Sequence, residues 1–438
     1  MTAANPSLPN VLDASEEEIQ GRLIRARRSG HPRYVWDDVP MSAWAAACRA
    51  IEDAATAVLA PQEGAGPPGP PRLEAGGAAT ARALAVAAFT SGMGPLLAAW
   101  HEAGALDVAS ELTPVLDAHL AHGRARARRV GALLDGLAGP LARAGLDPVV
   151  LKGGHTGCRH FPEAGARPLA DVDLFVPASR GDDAEGVLAD AGFRLTLRQR
   201  RPTRSVWAPP GEEGRLRSLD VTHALNPLTV DLHLSLDRDF YGLRRSPVPD
   251  PEPGDLEAIP GLPGVFRGLR AEWLIPVISL HAAEDLSNLQ LLRVVELVLV
   301  ARCESEAADP WPGVVDRTRA WQALPHVFPA WALAERLAPG TVPPAVLEEA
   351  RSQAPPALRA VVDGLTPGTA QRLHGIRFRE RMAGATTPAE KARRLLHMLV
   401  PDSAGGSLRR IADLYGARLY QILRGRVRLG AGDDPGPD

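Results

Sequence analysis

Two short segments carry the aspartates best suited to chemistry. Residues 169–177 read Leu-Ala-Asp-Val-Asp-Leu-Phe-Val-Pro, and residues 230–237 begin with Val-Asp-Leu-His. Because alternate side chains of a strand share a face, Asp171 and Asp173 lie together, and Asp231 adds a third carboxylate from a second strand. Clustered carboxylates repel one another unless cations lie between them. The pattern therefore predicts a site for two Mg²⁺ ions, with Mn²⁺ as the alternative.

A glycine turn that precedes these segments suits a phosphate group. The apolar residues 148–151 predict a strand that runs directly into Lys152, Gly153 and Gly154. Backbone N–H groups at the start of a helix bind anions, and glycine lets the anion approach closely. Arg167, four residues before the first aspartate, could hold a phosphate through both arms of its guanidinium. The lysine is equally well explained as a solvated charge at a strand end.

Two histidines are candidates for substrate contacts. His233 shares the predicted strand face of Asp231, although a structural hydrogen bond explains it as well. His281, Asp285 and Asn288 fall on one stripe of a predicted helix and could form a wall of the site. A capped, solvated helix face explains that stripe equally well.

Two arginine-rich stretches have less specific interpretations. The first lies between the second and third aspartates and could receive an acidic or phosphorylated acceptor. It consists of Arg194, Arg198, Arg200, Arg201 and Arg204. The second is more simply a solvated helix face. It consists of Arg124, Arg126, Arg128 and Arg129.

Composition narrows the range of partners and compartments. The 438 residues include 49 Lys and Arg against 52 Asp and Glu, so no positive field attracts a polynucleotide, and no nucleic-acid partner is expected. Three scattered cysteines favour the reducing cytoplasm over a disulfide scaffold or a zinc site. No secretory signal pattern occurs in residues 1–10. The uncharged stretch 83–100 contains Gly and Pro and predicts a buried helix pair, so no membrane contact is expected.

Helical periodicity on both sides of a short strand-rich stretch predicts the domain order. We expect an N-terminal helix and a flexible Gly/Pro linker (1–78), a helical region (79–146), a core (147–245), a C-terminal helical domain (246–426) and a disordered tail (427–438). The expected fold class is α+β or α/β, in which a small mixed sheet is flanked by helices and the chain is mostly helical.

These motifs together resemble a known family. Leu-Lys-Gly at 151–153, an Arg four residues before Asp-x-Asp, and Val-Asp-Leu-His at 230–233 are similar to the uncharacterised nucleotidyltransferase family of the polymerase-β-like superfamily. The resemblance covers roughly residues 112–302. One departure is the sixteen residues between Gly154 and Asp171, which exceed the spacing of many superfamily members.

The resemblance implies metal-dependent transfer of a nucleoside monophosphate from a triphosphate such as ATP. Asp171, Asp173 and Asp231 would be the metal ligands, and Gly153 and Gly154 would contact the triphosphate. Members are similar to tailoring enzymes of peptide natural-product pathways, so the acceptor would be a small molecule or a peptide. Two alternatives stay open, a catalytically silent nucleotide-binding regulatory or antitoxin-like partner protein and an RNA-modifying transferase.

Overall fold

The computed structural model confirms a mostly helical α+β fold. It describes most of the chain from residue 39 to residue 399. The described residues are 39–60, 69–200, 203–212, 222–240, 244–284, 286, 289–366, 368 and 387–399. The predicted tail at 427–438 lies outside them, as do residues 62–68 of the predicted linker.

Most strands lie in the middle of the chain. The strands of the described residues are β1 (Arg72–Leu73), β2 (Asp107–Val108), β3 (Val149–Val150), β4 (Val172–Phe175), β5 (Arg194–Arg200), β6 (Thr203–Ala208), β7 (Val230–His233), β8 (Arg238–Phe240), β9 (Arg244–Ser246), β10 (Leu256–Ala258) and β11 (Arg267–Leu269). Seven of them form one mixed sheet in the order β10-β11-β3-β4-β7-β6-β5. β4 and β7 are parallel neighbours at its centre. The sheet continues past residue 245, the expected end of the core, because β10 and β11 join it.

Helices precede and follow this sheet in the chain, and two more lie between its strands. They are α1 (Met41–Val58), α2 (Ala78–Thr90), α3 (Gly94–Glu102), α4 (Thr113–Arg143), α5 (Lys152–Arg159), α6 (Gly181–Asp190), α7 (Ala271–Ala283), α8 (Leu291–Ala307), α9 (Trp311–Ala320), α10 (Leu324–Leu337), α11 (Pro344–Gln353), α12 (Pro356–Asp363) and α13 (Pro388–Leu399). The long helix α4 ends at Arg143, with Ala144 as its C-cap, and Gly145 follows with φ 62°, a left-handed conformation that glycine adopts without strain.

The alternation along β4 and β7 separates an apolar face from a polar one, as the sequence predicts. Leu174 and Leu232 are each 2% exposed and belong to a core cluster with Leu134 of α4 and Leu188 of α6. Burial of each such leucine contributes about 1.5–3 kcal/mol. The aspartates that alternate with these leucines are therefore held on the opposite face of a fixed sheet.

The uncharged stretch 83–100 forms two buried helices, as expected. α2 and α3 meet at an angle of 110°, and their apolar residues join a large helical core. Among the described helices none is by itself long and apolar enough to cross a membrane, although this bent pair meets the same criterion when its two halves are combined. Ahead of the pair, β1 pairs in parallel with β2, and its Leu73 is buried.

Candidate active site

The parallel pair β4 and β7 places two carboxylates side by side. Asp173 lies directly opposite Asp231 in the strand register, and both side chains are buried. Asp171 comes immediately before β4 and is half-buried. The structure thus brings the three predicted aspartates to one part of the sheet.

Each buried carboxylate has a cationic or hydrogen-bonding neighbour. The Nζ of Lys152 lies 2.6 Å from Oδ1 of Asp173, and Nη1 of Arg204 lies 2.7 Å from Oδ2 of Asp231. The Nε2 of His233 lies 2.8 Å from the same Oδ1 of Asp173. These contacts offset the repulsion between the carboxylates.

The protonation properties of the cluster follow from burial and from these neighbours. Burial alone would raise the pKa of Asp173, but the ammonium of Lys152 and the hydrogen bond from His233 hold that pKa well below its usual range. Burial and the negative charge of Asp173 raise the pKa of Asp171 to about 6. Burial lowers the pKa of His233, so the neutral ring donates from Nε2 to Asp173. At neutral pH Asp173 is therefore ionised, and Asp171 is mostly ionised.

One oxygen of the cluster is left for a ligand. Within the described part of the chain, Oδ1 of Asp231 is buried and has no hydrogen-bond partner. Donor atoms of Asp173, Asp231 and His233 lie within 4.8 Å of one another. Buried carboxylate oxygens without partners are costly, and they are also the ligands that hard divalent cations prefer. The residues present therefore fit a divalent metal ion.

The predicted glycine turn begins helix α5. Lys152 has φ 49°, in the left-handed region that a non-glycine residue adopts at a cost, and its side chain points to Asp173. A Cβ atom added to Gly153 would lie 2.8 Å from Cδ2 of Leu169, and one added to Gly154 would lie 2.8 Å from Cγ1 of Val150. Close packing of α5 on its surroundings thus requires both glycines, in addition to any contact with phosphate.

Arg167 is held by a buried glutamate. Its Nε and Nη2 donate to the two carboxylate oxygens of Glu296, at 3.0 and 2.9 Å, and its Nη1 donates to the carbonyl of Pro168 at 2.6 Å. Thr156 of α5 also donates to this glutamate. The bidentate grip predicted for a phosphate is therefore directed at Glu296, which fastens α8 to α5 and to the segment before β4.

A cavity of about 370 Å³ opens beside the carboxylates. Predicted site residues form one part of its lining. They are Lys152, Gly153, Gly154, Arg167, Asp171, Asp173 and His281. Burial lowers the pKa of His281 well below its usual value, so its imidazole is neutral. The other members of its predicted stripe, Asp285 and Asn288, lie outside the described residues.

Sequence reasoning missed the wall of this cavity that the helices supply. It includes Ala88, Phe89, Pro95 and Leu292, from α2, α3 and α8. These residues are far from the aspartates in sequence, and only the packing of α2 and α3 places them at the site. An apolar wall beside a polar floor is typical of pockets that bind organic ligands.

Arg126 of α4 does not belong to a solvated helix face, which corrects that interpretation for this residue, whereas Arg128 is exposed. Arg126 is 1% exposed, and its guanidinium donates to the carbonyls of Leu169 at 2.9 Å, of Pro227 at 2.8 Å and of Ala170. It thus joins the segment before β4 to the segment before β7. Apolar residues at helical spacing around this arginine, such as Val130, were the available sign that this face of α4 is buried.

The arginines between the aspartates also differ from the predicted acceptor site. Arg204 pairs with Asp231, and Arg198 lies 2.5 Å from Glu185 of α6. Arg201 and the side chain of Arg200 lie outside the described part of the structure. Two members of the predicted basic cluster are therefore already paired with carboxylates.

Comparison with known proteins gives one match. A family model described as an uncharacterised nucleotidyltransferase matches residues 78–339, which is more than half of the chain. No curated protein and no solved structure matches the chain significantly. The matched range begins at helix α2 and so includes the helical wall of the cavity as well as the aspartates.

Proposed function

The chain belongs to the uncharacterised nucleotidyltransferase family, and from this premise we propose that it transfers a nucleoside monophosphate from ATP or a related triphosphate to a small-molecule or peptide acceptor. The family makes the chain a nucleotidyltransferase that uses a nucleoside triphosphate. The finer proposal depends on one observation, the buried pair of Asp173 and Asp231 with a free carboxylate oxygen. Such a pair is costly in a protein that has no cation to bind.

Asp171, Asp173 and Asp231 would hold the metal. When bound there, divalent ions such as Mg²⁺ would neutralise the triphosphate and lower the pKa of the attacking hydroxyl. Lys152 already lies at Asp173, from where its ammonium could transfer to a phosphate oxygen when nucleotide arrives. The start of α5 would direct the backbone N–H groups of Gly153 and Gly154 to the same phosphates.

The transfer itself would be an in-line displacement at the α-phosphorus. The acceptor oxygen forms the new P–O bond while the bond to pyrophosphate breaks, and Oδ1 of Asp231 would take the hydroxyl proton. The apolar wall beside the carboxylates supports an organic acceptor or a nucleobase as the occupant of the cavity. His281, a neutral imidazole in that lining, would contact one of them.

Mass spectrometry tests this proposal. The purified protein is incubated with Mg²⁺, each common nucleoside triphosphate and a panel of hydroxyl-bearing small molecules and peptides. We expect an acceptor that gains a nucleoside monophosphate, with release of pyrophosphate. Asp173→Asn should abolish the product, whereas Asp182→Asn, an exposed aspartate of α6, should leave it unchanged. Equal product from parent and Asp173→Asn would contradict the proposal.

The pairing of the hairpin arginines argues against an RNA-modifying enzyme. Arg198 and Arg204 of β5 and β6 each contact a carboxylate, so their charge is largely compensated. An electrostatic track for RNA needs uncompensated cations that release counterions on binding. This observation favours the small-molecule or peptide acceptor.

A further inference from the structure

A second group of metal-ligating side chains lies at the far end of helix α5, away from the aspartates. His160 follows the last residue of α5, and Cys303 and Glu304 lie near the C-terminal end of α8. One ligand atom from each of the three lies within 4.8 Å of the others. From this group and the buried histidine beside it, we infer a second metal site, for a thiophilic divalent ion such as Zn²⁺.

The types of the three residues identify the class of ion. Imidazole nitrogen, thiolate sulfur and carboxylate oxygen together form a mixed set that Zn²⁺ accepts and that Mg²⁺ does not prefer. His160 is already positioned, because its Nε2 lies 2.8 Å from Oε1 of Glu304. Cys303 is exposed, which gives an ion a path from solvent.

The independent observation is a buried histidine that lies near Glu257, with 3.9 Å between Nε2 and Oε1, but makes no hydrogen bond in the described structure. His155 of α5 is 0% exposed, and neither of its ring nitrogens has a hydrogen-bond partner in the described structure. Its ring meets the ring of His160 edge-on, with 5.9 Å between the centroids. A neutral imidazole has one donor and one acceptor nitrogen, and leaving both unpaired in the interior is unfavourable. Nδ1 of His160 is also buried without a hydrogen-bond partner in the described residues, so both imidazoles of this region lack a partner that a bound ion could supply.

The local charge also leaves room for a cation. Arg159 contacts both acidic residues of this region, with Nη1 2.7 Å from Glu257 and Nε 3.0 Å from Glu304. Arg159 thus serves two carboxylates, and Arg270 also acts electrostatically on Glu257, so a bound ion could replace Arg159 at Glu304. The Arg159 side chain is 29% exposed, so it can turn toward solvent and leave Glu304 to the ion. The site would then fasten the end of α5 to the end of α8.

Cobalt binding tests the inference without any assay of activity. The full chain carrying Asp173→Asn, which removes a ligand from the aspartate site, is treated with chelator and then titrated with Co²⁺. We expect an absorption band from thiolate-to-cobalt charge transfer. Cys303→Ser should abolish this band and weaken binding by at least about tenfold. Cys158→Ser changes a half-buried cysteine of α5 as the matched control and should keep the band.

Two further results complete the test. His160→Gln should weaken Co²⁺ binding while a weaker sulfur band persists, and Zn²⁺ should displace Co²⁺ from the parent. Circular dichroism checks that each variant is folded, and the exposed position of Cys303 makes its serine variant the safer one. Absence of a sulfur band in the folded parent, or its persistence in Cys303→Ser, would overturn the inference.

Discussion

Cationic side chains serve different purposes in two neighbouring regions of this molecule. In the aspartate site, Lys152 and Arg204 pair with the carboxylates of Asp173 and Asp231. At the N-terminal ends of the same two strands, Arg126 donates to backbone carbonyls, among them those of Leu169 and Pro227. A carboxylate can exchange its ammonium or guanidinium partner for a metal ion. The main-chain carbonyls bound by Arg126 cannot exchange their partner in this way, because they form part of the fold. The cations of the aspartate site are therefore suited to catalysis, and Arg126 is suited to holding the strands in position.

Mutations in the two regions should therefore change different properties of the protein. Changes at Arg126 are expected to act on the free energy of unfolding, and changes at the aspartate site on metal binding and turnover. The largest effect expected from this comparison belongs to Arg126, because its removal leaves several buried carbonyls without donors.

Arg126→Met should lower the free energy of unfolding by about 3–5 kcal/mol, the range typical for removing one partner of a buried charged network. Urea unfolding followed by circular dichroism measures this change. Arg128→Met provides the control, because Arg128 lies on the same helix and is exposed. Equal stability of the two variants would show that Arg126 does not fasten the strand ends.

Asp231→Asn should reduce turnover by at least about 100-fold and abolish tight metal binding, while the fold persists. The asparagine keeps the shape of the side chain and removes the charge that binds the ion. Isothermal titration with Mn²⁺, together with pyrophosphate release, measures both effects. Unchanged Mn²⁺ affinity would place the metal elsewhere, and a loss of stability as large as that of Arg126→Met would remove the distinction between the regions.

Arg204→Gln tests whether a cation of the aspartate site is exchangeable. Its side chain is 32% exposed, and an ion pair of this kind contributes up to about 1 kcal/mol. Without this competitor at Oδ2 of Asp231, Mn²⁺ should bind about two- to fivefold more tightly. Arg198→Gln, in the same hairpin but paired with Glu185, should leave the affinity unchanged. Weaker Mn²⁺ binding by Arg204→Gln would mean that the arginine supports the site and does not compete with the ion.

The same contrast explains what could be predicted from the sequence. The alternation in 169–177 and 230–237 predicts that Asp173 and Asp231 lie on the polar faces of two strands, and the register of β4 and β7 places the two residues opposite each other. Strand periodicity is a local property, and both strands have one apolar face. The fold class follows in the same way from helical periodicity on either side of the strands. Local periodicity was sufficient to predict which face of a strand or helix a residue occupies.

The sequence did not show the partner of a residue where that partner is distant in the chain. Arg126 donates to the carbonyl of Pro227, about one hundred residues away. The sequence of its own helix does not indicate that partner. Arg167 was expected to face a phosphate, yet its guanidinium is bound by Glu296, 129 residues away. A sequence shows that an arginine can grip an anion in a bidentate manner, but the packing of α8 decides which anion that is.

The last effect concerns Asp171, which lies just before β4, and it shows as a dependence of stability on pH. Burial and the charge of Asp173 raise its pKa from 3.8 to about 6 in the folded protein. The native state therefore keeps a proton that the unfolded chain releases, and stability is lost as pH rises from 3.8 through about 6.

Asp171→Asn removes this loss. With chelator present, the variant should exceed the parent in free energy of unfolding by about 1–2 kcal/mol near pH 8 and by less near pH 5. Denaturant unfolding at both pH values measures the difference, with Asp182→Asn as the exposed control, and an advantage that does not change with pH would show that charge repulsion at Asp171 is not its cause.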